Sequence, residues 1–194
     1  YARSFAVIDA ETDWSGVPDG LRPVVRRMIH ACGMTDLTRD LAWSDDLLAA
    51  ATAALARGAP IVTDARMVAH GIIRSTLPVD NAVRCGLDLV DAAPAGLTRS
   101  AAGIDAAGDA LGGAVVAIGN APTALFRLLE LARAGAPRPA AVIGLPVGFV
   151  GAVESKAALA GDAPFPFLTL HGRRGGSAMA AAAVNALAQA AGRP

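Results

Sequence analysis

The chain has 194 residues, enough to bury a substantial core, and a single domain spanning 1–194 is the expectation. Lys+Arg and Asp+Glu both number 17, so no bulk field points to nucleic acid or an anionic membrane, and any anion recognition has to be local. Hydrophobic residues make up 54%, yet charges, glycines and prolines interrupt every apolar run before a membrane-spanning length, and a soluble domain is expected.

The first forty-odd residues read as helical and polar-rich. Within them, Arg26-Arg27-Met28-Ile29-His30-Ala31-Cys32 reads as the last turns of a helix, stopped by Gly33. His30 falls one turn from both Arg26 and Arg27, while Val24, Val25, Met28, Ile29 and Cys32 fill the opposite stripe. An imidazole beside two fixed cations points to proton chemistry on a carboxylate-bearing ligand. The alternative is a histidine that does no more than meet a helix C-terminus.

From Pro60 onward short apolar runs alternate with helical stretches. Strands are expected at 60–63, near 82–85 or 87–90, at 114–118, at 140–144 and at 165–170. Helices follow several of them, the last from about Ser177 to Ala191. Strands apolar along their whole length, alternating with helices, imply a three-layer, doubly wound, mostly parallel sheet of about five strands with helices on both faces. An N-terminal helical segment precedes it. Ligands of such sheets sit at the C-terminal strand ends, which here carry Asp64, Gly119-Asn120, Pro146-Val147-Gly148 and His171-Gly172-Arg173-Arg174.

Three of these turns have a chemical reading beside a plain one. Gly175-Gly176-Ser177 opens the last helix, and its amides, a Ser177 N-cap, Arg173 and Arg174 would suit an anion, or else form a routine capped turn. Asn120 either donates to a ligand or caps the helix that Pro122 begins. Thr98-Arg99-Ser100 suits carboxylate capture at a helix start, or is a solvated cap. No GxGxxG or GxxxxGK[ST] phosphate loop, GxSxG elbow or HExxH helix is present. His30, His70 and His171 are the only histidines, too few for a histidine-rich metal site. Cys32 and Cys85 lack metal spacing and fit a reducing cytoplasm.

Six segments in consistent order resemble the precorrin-8X methylmutases of cobalamin biosynthesis. They are Tyr1–Phe5, Arg27–Met34, Asp64–Val68, Gly119–Leu125, Pro146–Val150 with Glu154-Ser155-Lys156, and Arg173–Met179. The resemblance implies an isomerase that moves a methyl group from C-11 to C-12 of precorrin-8X by a 1,5-sigmatropic shift, giving hydrogenobyrinate, or acts on the cobalt-containing equivalent. It implies His30 as proton donor and Ser4, Arg27 and Arg99 as substrate contacts. It also implies a parallel α/β fold and a homodimer with the site near the subunit interface. No family role transfers to His70, and a short 87–97 loop departs from the family pattern.

On that reading no cofactor or metal is required, and the partners are the corrinoid substrate and product. Arg27, Arg99, Arg173 and Arg66 would anchor carboxylates, with Asn120 and Ser177 as further contacts and Met28, Met34, Val147 and Phe149 as apolar ones. Two other classes remain open: a non-catalytic corrinoid carrier, and an α/β enzyme acting on a nucleotide or sugar phosphate.

Overall fold

The computed structural model describes residues 1–192. Helices α1 (Ala2–Glu11) and α2 (Arg22–Cys32) come first, and a 3-10 turn at Thr35–Asp40 leads into strand β1 (Leu41–Trp43). The rest alternates: α3 (Leu47–Ala56), β2 (Ile61–Thr63), α4 (Arg66–Gly71), β3 (Val83–Cys85), α5 (Arg99–Ala107), β4 (Val115–Ile118), α6 (Pro122–Arg133), β5 (Ala141–Gly144), α7 (Ala152–Asp162), β6 (Phe167–Leu170) and α8 (Ser177–Ala191). None of the described helices is long and apolar enough to cross a membrane.

The sheet has six strands in the order β1-β6-β5-β4-β2-β3, parallel except where β1 pairs antiparallel with β6. The expected parallel sheet is therefore present with one strand more than the five anticipated. The additional strand, β1, lies within the segment read as wholly helical. Successive strand residues face opposite layers, so Val115, Ala117, Ala141 and Ile143 meet α2, α3, α4 and α8, while Val116, Ile118 and Val142 meet α5, α6 and Leu159 of α7. Both faces being covered explains why these strands are apolar throughout rather than alternating.

Local signals set several boundaries. Gly33 ends α2 in the left-handed conformation, with its amide bonded to the Ile29 carbonyl. Pro122 occupies the first turn of α6, where its missing N–H costs nothing. Thr98 caps α5, its Oγ1 accepting from the Ala101 amide at 3.2 Å.

The order in which strands are added to the sheet reverses between β2 and β4, which are parallel neighbours although β3 intervenes in sequence. The ligand crevice of a doubly wound sheet normally opens at such a point.

Candidate active site

His30 lies in the last turn of α2 with its ring exposed, at the negative end of the helix. Phe5 on α1 organises its surroundings. The His30 ring meets the Phe5 ring edge-on at 5.5 Å and the Tyr1 ring at 5.5 Å. Arg26 and Arg27 place their guanidiniums 5.9 and 5.8 Å from the same Phe5 ring. The three polar side chains thus share one face, as their helical spacing requires, with an aromatic ring between them.

The two arginines differ in what else they hold. Arg26 is neutralised by Asp9 at 2.7 Å, a contact that ties α1 to α2. Arg27 donates to the uncharged Gln189 Oε1 at 2.7 Å and has no carboxylate partner among the described residues. A cavity of about 430 Å³ opens beside His30, lined by Arg3, Ser4, Val7, Glu11 and Thr35 among others. Ser4 is exposed at its wall, one helical turn from Ile8. Arg3 was not singled out from the sequence, although it precedes Ser4 on α1, also lines the cavity and lacks a carboxylate partner. The i, i+4 spacing of Arg3 and Val7, beside Ser4 and Ile8, is the signal that marks this wall.

At the strand ends the arrangement departs from the sequence expectations. The Asp64 carboxylate sits at the reversal point between β2 and β4 and is fully buried. It accepts the amides of Gly119 (2.9 Å), Asn120 (2.9 Å) and Ala121 (2.7 Å). Burial pushes its carboxyl up from the ordinary range, against the downward pull of those three amides. An internal anion therefore fills the site at the start of α6 where a phosphate would bind. Asn120 does not cap α6: the N-cap is Ala121, and Asn120, one residue earlier, gives its amide to Asp64 and leaves its side chain exposed.

The last turn also differs. The N-cap of α8 is Gly176, not Ser177, and Ser177 is the first helical residue and buried. Arg174 is taken up by Asp36 at 2.8 Å and by Asp40, which accepts from both Nε and an Nη, so it is structural rather than part of an anion pocket. Arg173 remains exposed, its guanidinium 5.1 Å from the Phe149 ring centre. Val147, Phe149 and Val150 stand out from the β5–α7 loop, with Phe149 82% exposed.

Three further expectations resolve individually. Met28 is fully buried in the core and cannot touch a ligand. Arg66 is paired with Asp88 at 2.6 Å. Arg99 donates through one Nη to the carbonyls of Leu87 and Val90, both at 3.1 Å, and so straps the 87–97 loop to the start of α5. His70 is an exposed last-turn residue of α4, and His171 lines a separate open groove with Trp43, Asp45 and Phe167. Among the described residues no group of three or more His, Cys, Asp or Glu side chains is arranged to hold a metal.

The whole chain, and not only these residues, has known relatives. Residues 1–190 match the family model described as precorrin-8X methylmutase. The precorrin-8X methylmutase of Pseudomonas aeruginosa is 55% identical over 97% of this chain and 93% of its own length. The cobalt-precorrin-8 methylmutase of Synechocystis is 35% identical over 98% and 94%. The crystal structure of a precorrin-8x methyl mutase from Thermus thermophilus superposes with a TM-score of 0.89 at 38% identity, covering 98% of this chain and 94% of that one. With sequence, length and fold all in agreement, the chain belongs to the precorrin-8X methylmutase family.

Proposed function

We propose that the protein is an isomerase of cobalamin biosynthesis that converts precorrin-8X to hydrogenobyrinate. The methyl–C-11 bond breaks as the methyl–C-12 bond forms, in one sigmatropic step without an external nucleophile. Substrate and product are isomers, so a proton lent by the enzyme during rearrangement has to be returned. His30 is the group for that loan, and its position at the mouth of a cavity beside Arg3 and Ser4 is the observation that carries the assignment. Arg27 supplies an uncompensated cation for a substrate carboxylate, and Arg173, Arg99, Asn120 and Ser4 are further contacts. Ser177, buried beneath its turn, contributes through its backbone at most.

A metal-free substrate is favoured by similarity: identity is 55% and 53% to two precorrin-8X methylmutases, against 31–41% to six cobalt-precorrin-8 methylmutases. Asp64 filling the reversal point argues against a nucleotide or sugar-phosphate ligand there. The exposed Tyr1, Val7, Phe149 and Val150 leave apolar surface for a second copy, in keeping with a homodimer. Cys32 and Cys85, both unpaired, fit a cytoplasmic protein.

Incubation with precorrin-8X, followed by visible absorbance, tests the activity. His30→Ala should abolish conversion yet keep the pigment bound. Normal turnover by that variant removes His30 from the mechanism, and pigment binding without turnover by the unaltered protein makes it a carrier.

A further inference from the structure

Lys156 is the only lysine of the chain, and none of its surface reaches solvent. It stands in the first half of α7, where a lysine would ordinarily point to water. Its ammonium donates instead to the main-chain carbonyl of Arg174 at 2.5 Å. Burial pushes it down to about 8, opposed by the charge of Asp40. Lys156 is sealed from any ligand, so it is not a nucleophile or a substrate contact.

What it grips is the turn between β6 and α8. That turn is fixed from several sides at once. The Arg174 side chain is paired with Asp36 and Asp40 on the 3-10 turn before β1, and the His171 amide bonds the Asp40 carbonyl at 2.7 Å. The Gly176 amide bonds the Leu145 carbonyl at 2.8 Å, and the Gly148 amide bonds the Arg173 carbonyl at 3.3 Å. Gly175 is pressed so closely on the β5–α7 loop that a Cβ there would lie 2.6 Å from the Pro146 carbonyl oxygen. Arg173, the residue before this clamped carbonyl, carries its guanidinium outward onto Phe149.

We infer that Lys156 is a positioning residue for corrinoid binding: its buried ammonium holds the Arg173–Gly176 turn from beneath so that Arg173 is presented beside Phe149 to a carboxylate of the macrocycle. The inference rests on the reading of the chain as a corrinoid isomerase. It explains why the one lysine is spent in the interior of an otherwise arginine-based protein. An ammonium is a compact donor head on a slender stem, suited to a closed space beneath a single main-chain carbonyl.

The experiment is a double-mutant cycle on the full chain, reading hydrogenobyrinate affinity by visible absorbance titration for the unaltered protein, Lys156→Met, Arg173→Ala and the double variant, with precorrin-8X turnover alongside. Losing one charge-assisted contact with the ligand should weaken binding roughly tenfold. Lys156→Met and Arg173→Ala should each show that loss, and the double variant should be no weaker than Arg173→Ala. The effect of Lys156→Met on turnover should fall on KM more than on kcat. Gly175→Ala, which forces the same turn away from Pro146, should reproduce the Arg173-dependent loss and replaces Lys156→Met if that variant does not fold. Unchanged affinity in Lys156→Met, or losses that add in the double variant, would overturn the assignment. Absence of hydrogenobyrinate binding by the unaltered protein would instead refute the functional reading, and the inference with it.

Discussion

Asp64→Ala removes the acceptor for three consecutive amides at the reversal point of the sheet. A buried donor left without a partner costs about 1–3 kcal/mol. Gly119 is buried, Ala121 is half-buried and Asn120 is exposed, so only the first loses its partner without recourse to water. One full penalty and two of about half that size come to about 2–6 kcal/mol. Against this, the substitution relieves the desolvation that pushes the Asp64 carboxyl up. The sign follows from linkage: a carboxyl with a raised folded pKa favours the fold in acid and withdraws that support as pH rises through the folded value. That relief offsets part of the lost hydrogen bonding, so the net loss on Asp64→Ala should fall in the lower half of that range, about 2–4 kcal/mol. Asp64→Asn keeps one acceptor oxygen but turns an NH2 group toward a donor, so it should fall between the two. Urea denaturation at neutral pH measures the ranking, and hydrogen exchange at Gly119, Asn120 and Ala121 localises it. A loss below about 1 kcal/mol with unchanged exchange at these amides would refute the capping role.

Lys156 should leave a pH signature in stability. Its folded value of about 8, against an ordinary 10.5, means that between these values the unfolded chain binds more protons, so stability contributed by this group rises with pH across that window. The stability difference between the unaltered protein and Lys156→Met should shift by about 3 kcal/mol between about pH 7 and about pH 10, and parallel curves would exclude a buried ammonium. Asp40, whose charge acts on it, and the Arg174 and Asp36 side chains paired beside Asp40 are common to both proteins. Gly103→Ala should destabilise by about 1–3 kcal/mol, because a Cβ there would lie 2.6 Å from the backbone carbon of Gly86; a thermal midpoint unchanged by the substitution would show that the α5 contact yields freely.

The parts of the fold legible in the sequence are those decided by neighbours along the chain. The apolar run at 115–118, the Pro122 start, the Thr98 cap and the Gly33 stop each depend on a few adjacent residues, and each is where it was expected. Strand β1 was not legible. Its three residues are too short for a period, all are half-exposed, and it pairs with β6, far along the chain. The same limit applies at the site. Helical spacing put His30, Arg26 and Arg27 on one face, but Phe5 between them comes from a different helix. Asn120 and Ser177 looked like caps because each precedes or opens a helix. The caps are Ala121 and Gly176, and the contacts that fix these turns, the Asp64 carboxylate and the close approach of Gly119 to the Ser177 backbone, come from parts of the chain far away in sequence.

The arginines show how the remaining ambiguity resolves. In a chain of zero net charge an arginine-rich cation set says little, since each guanidinium either holds the fold together or waits for a ligand. Partners separate the two roles. Arg26, Arg66, Arg127 and Arg174 are each matched to carboxylates, and their removal should register as stability. Arg3, Arg27 and Arg173 have no carboxylate partner among the described residues, and two of them sit on α1 and α2 around His30. Arg173 instead shares with Phe149 a turn clamped by Lys156 and Arg174. On the proposed function, a polycarboxylate ligand would supply the counter-charge that these three lack. The paired and unpaired arginines should therefore separate cleanly when each is replaced by alanine, the first set lowering denaturation midpoints and the second raising the dissociation constant for hydrogenobyrinate. Arg174 is the deciding case, because the sequence placed it with the ligand-facing group and its two carboxylates place it with the structural one. An Arg174→Ala protein with ordinary stability and lost pigment affinity would reverse that assignment.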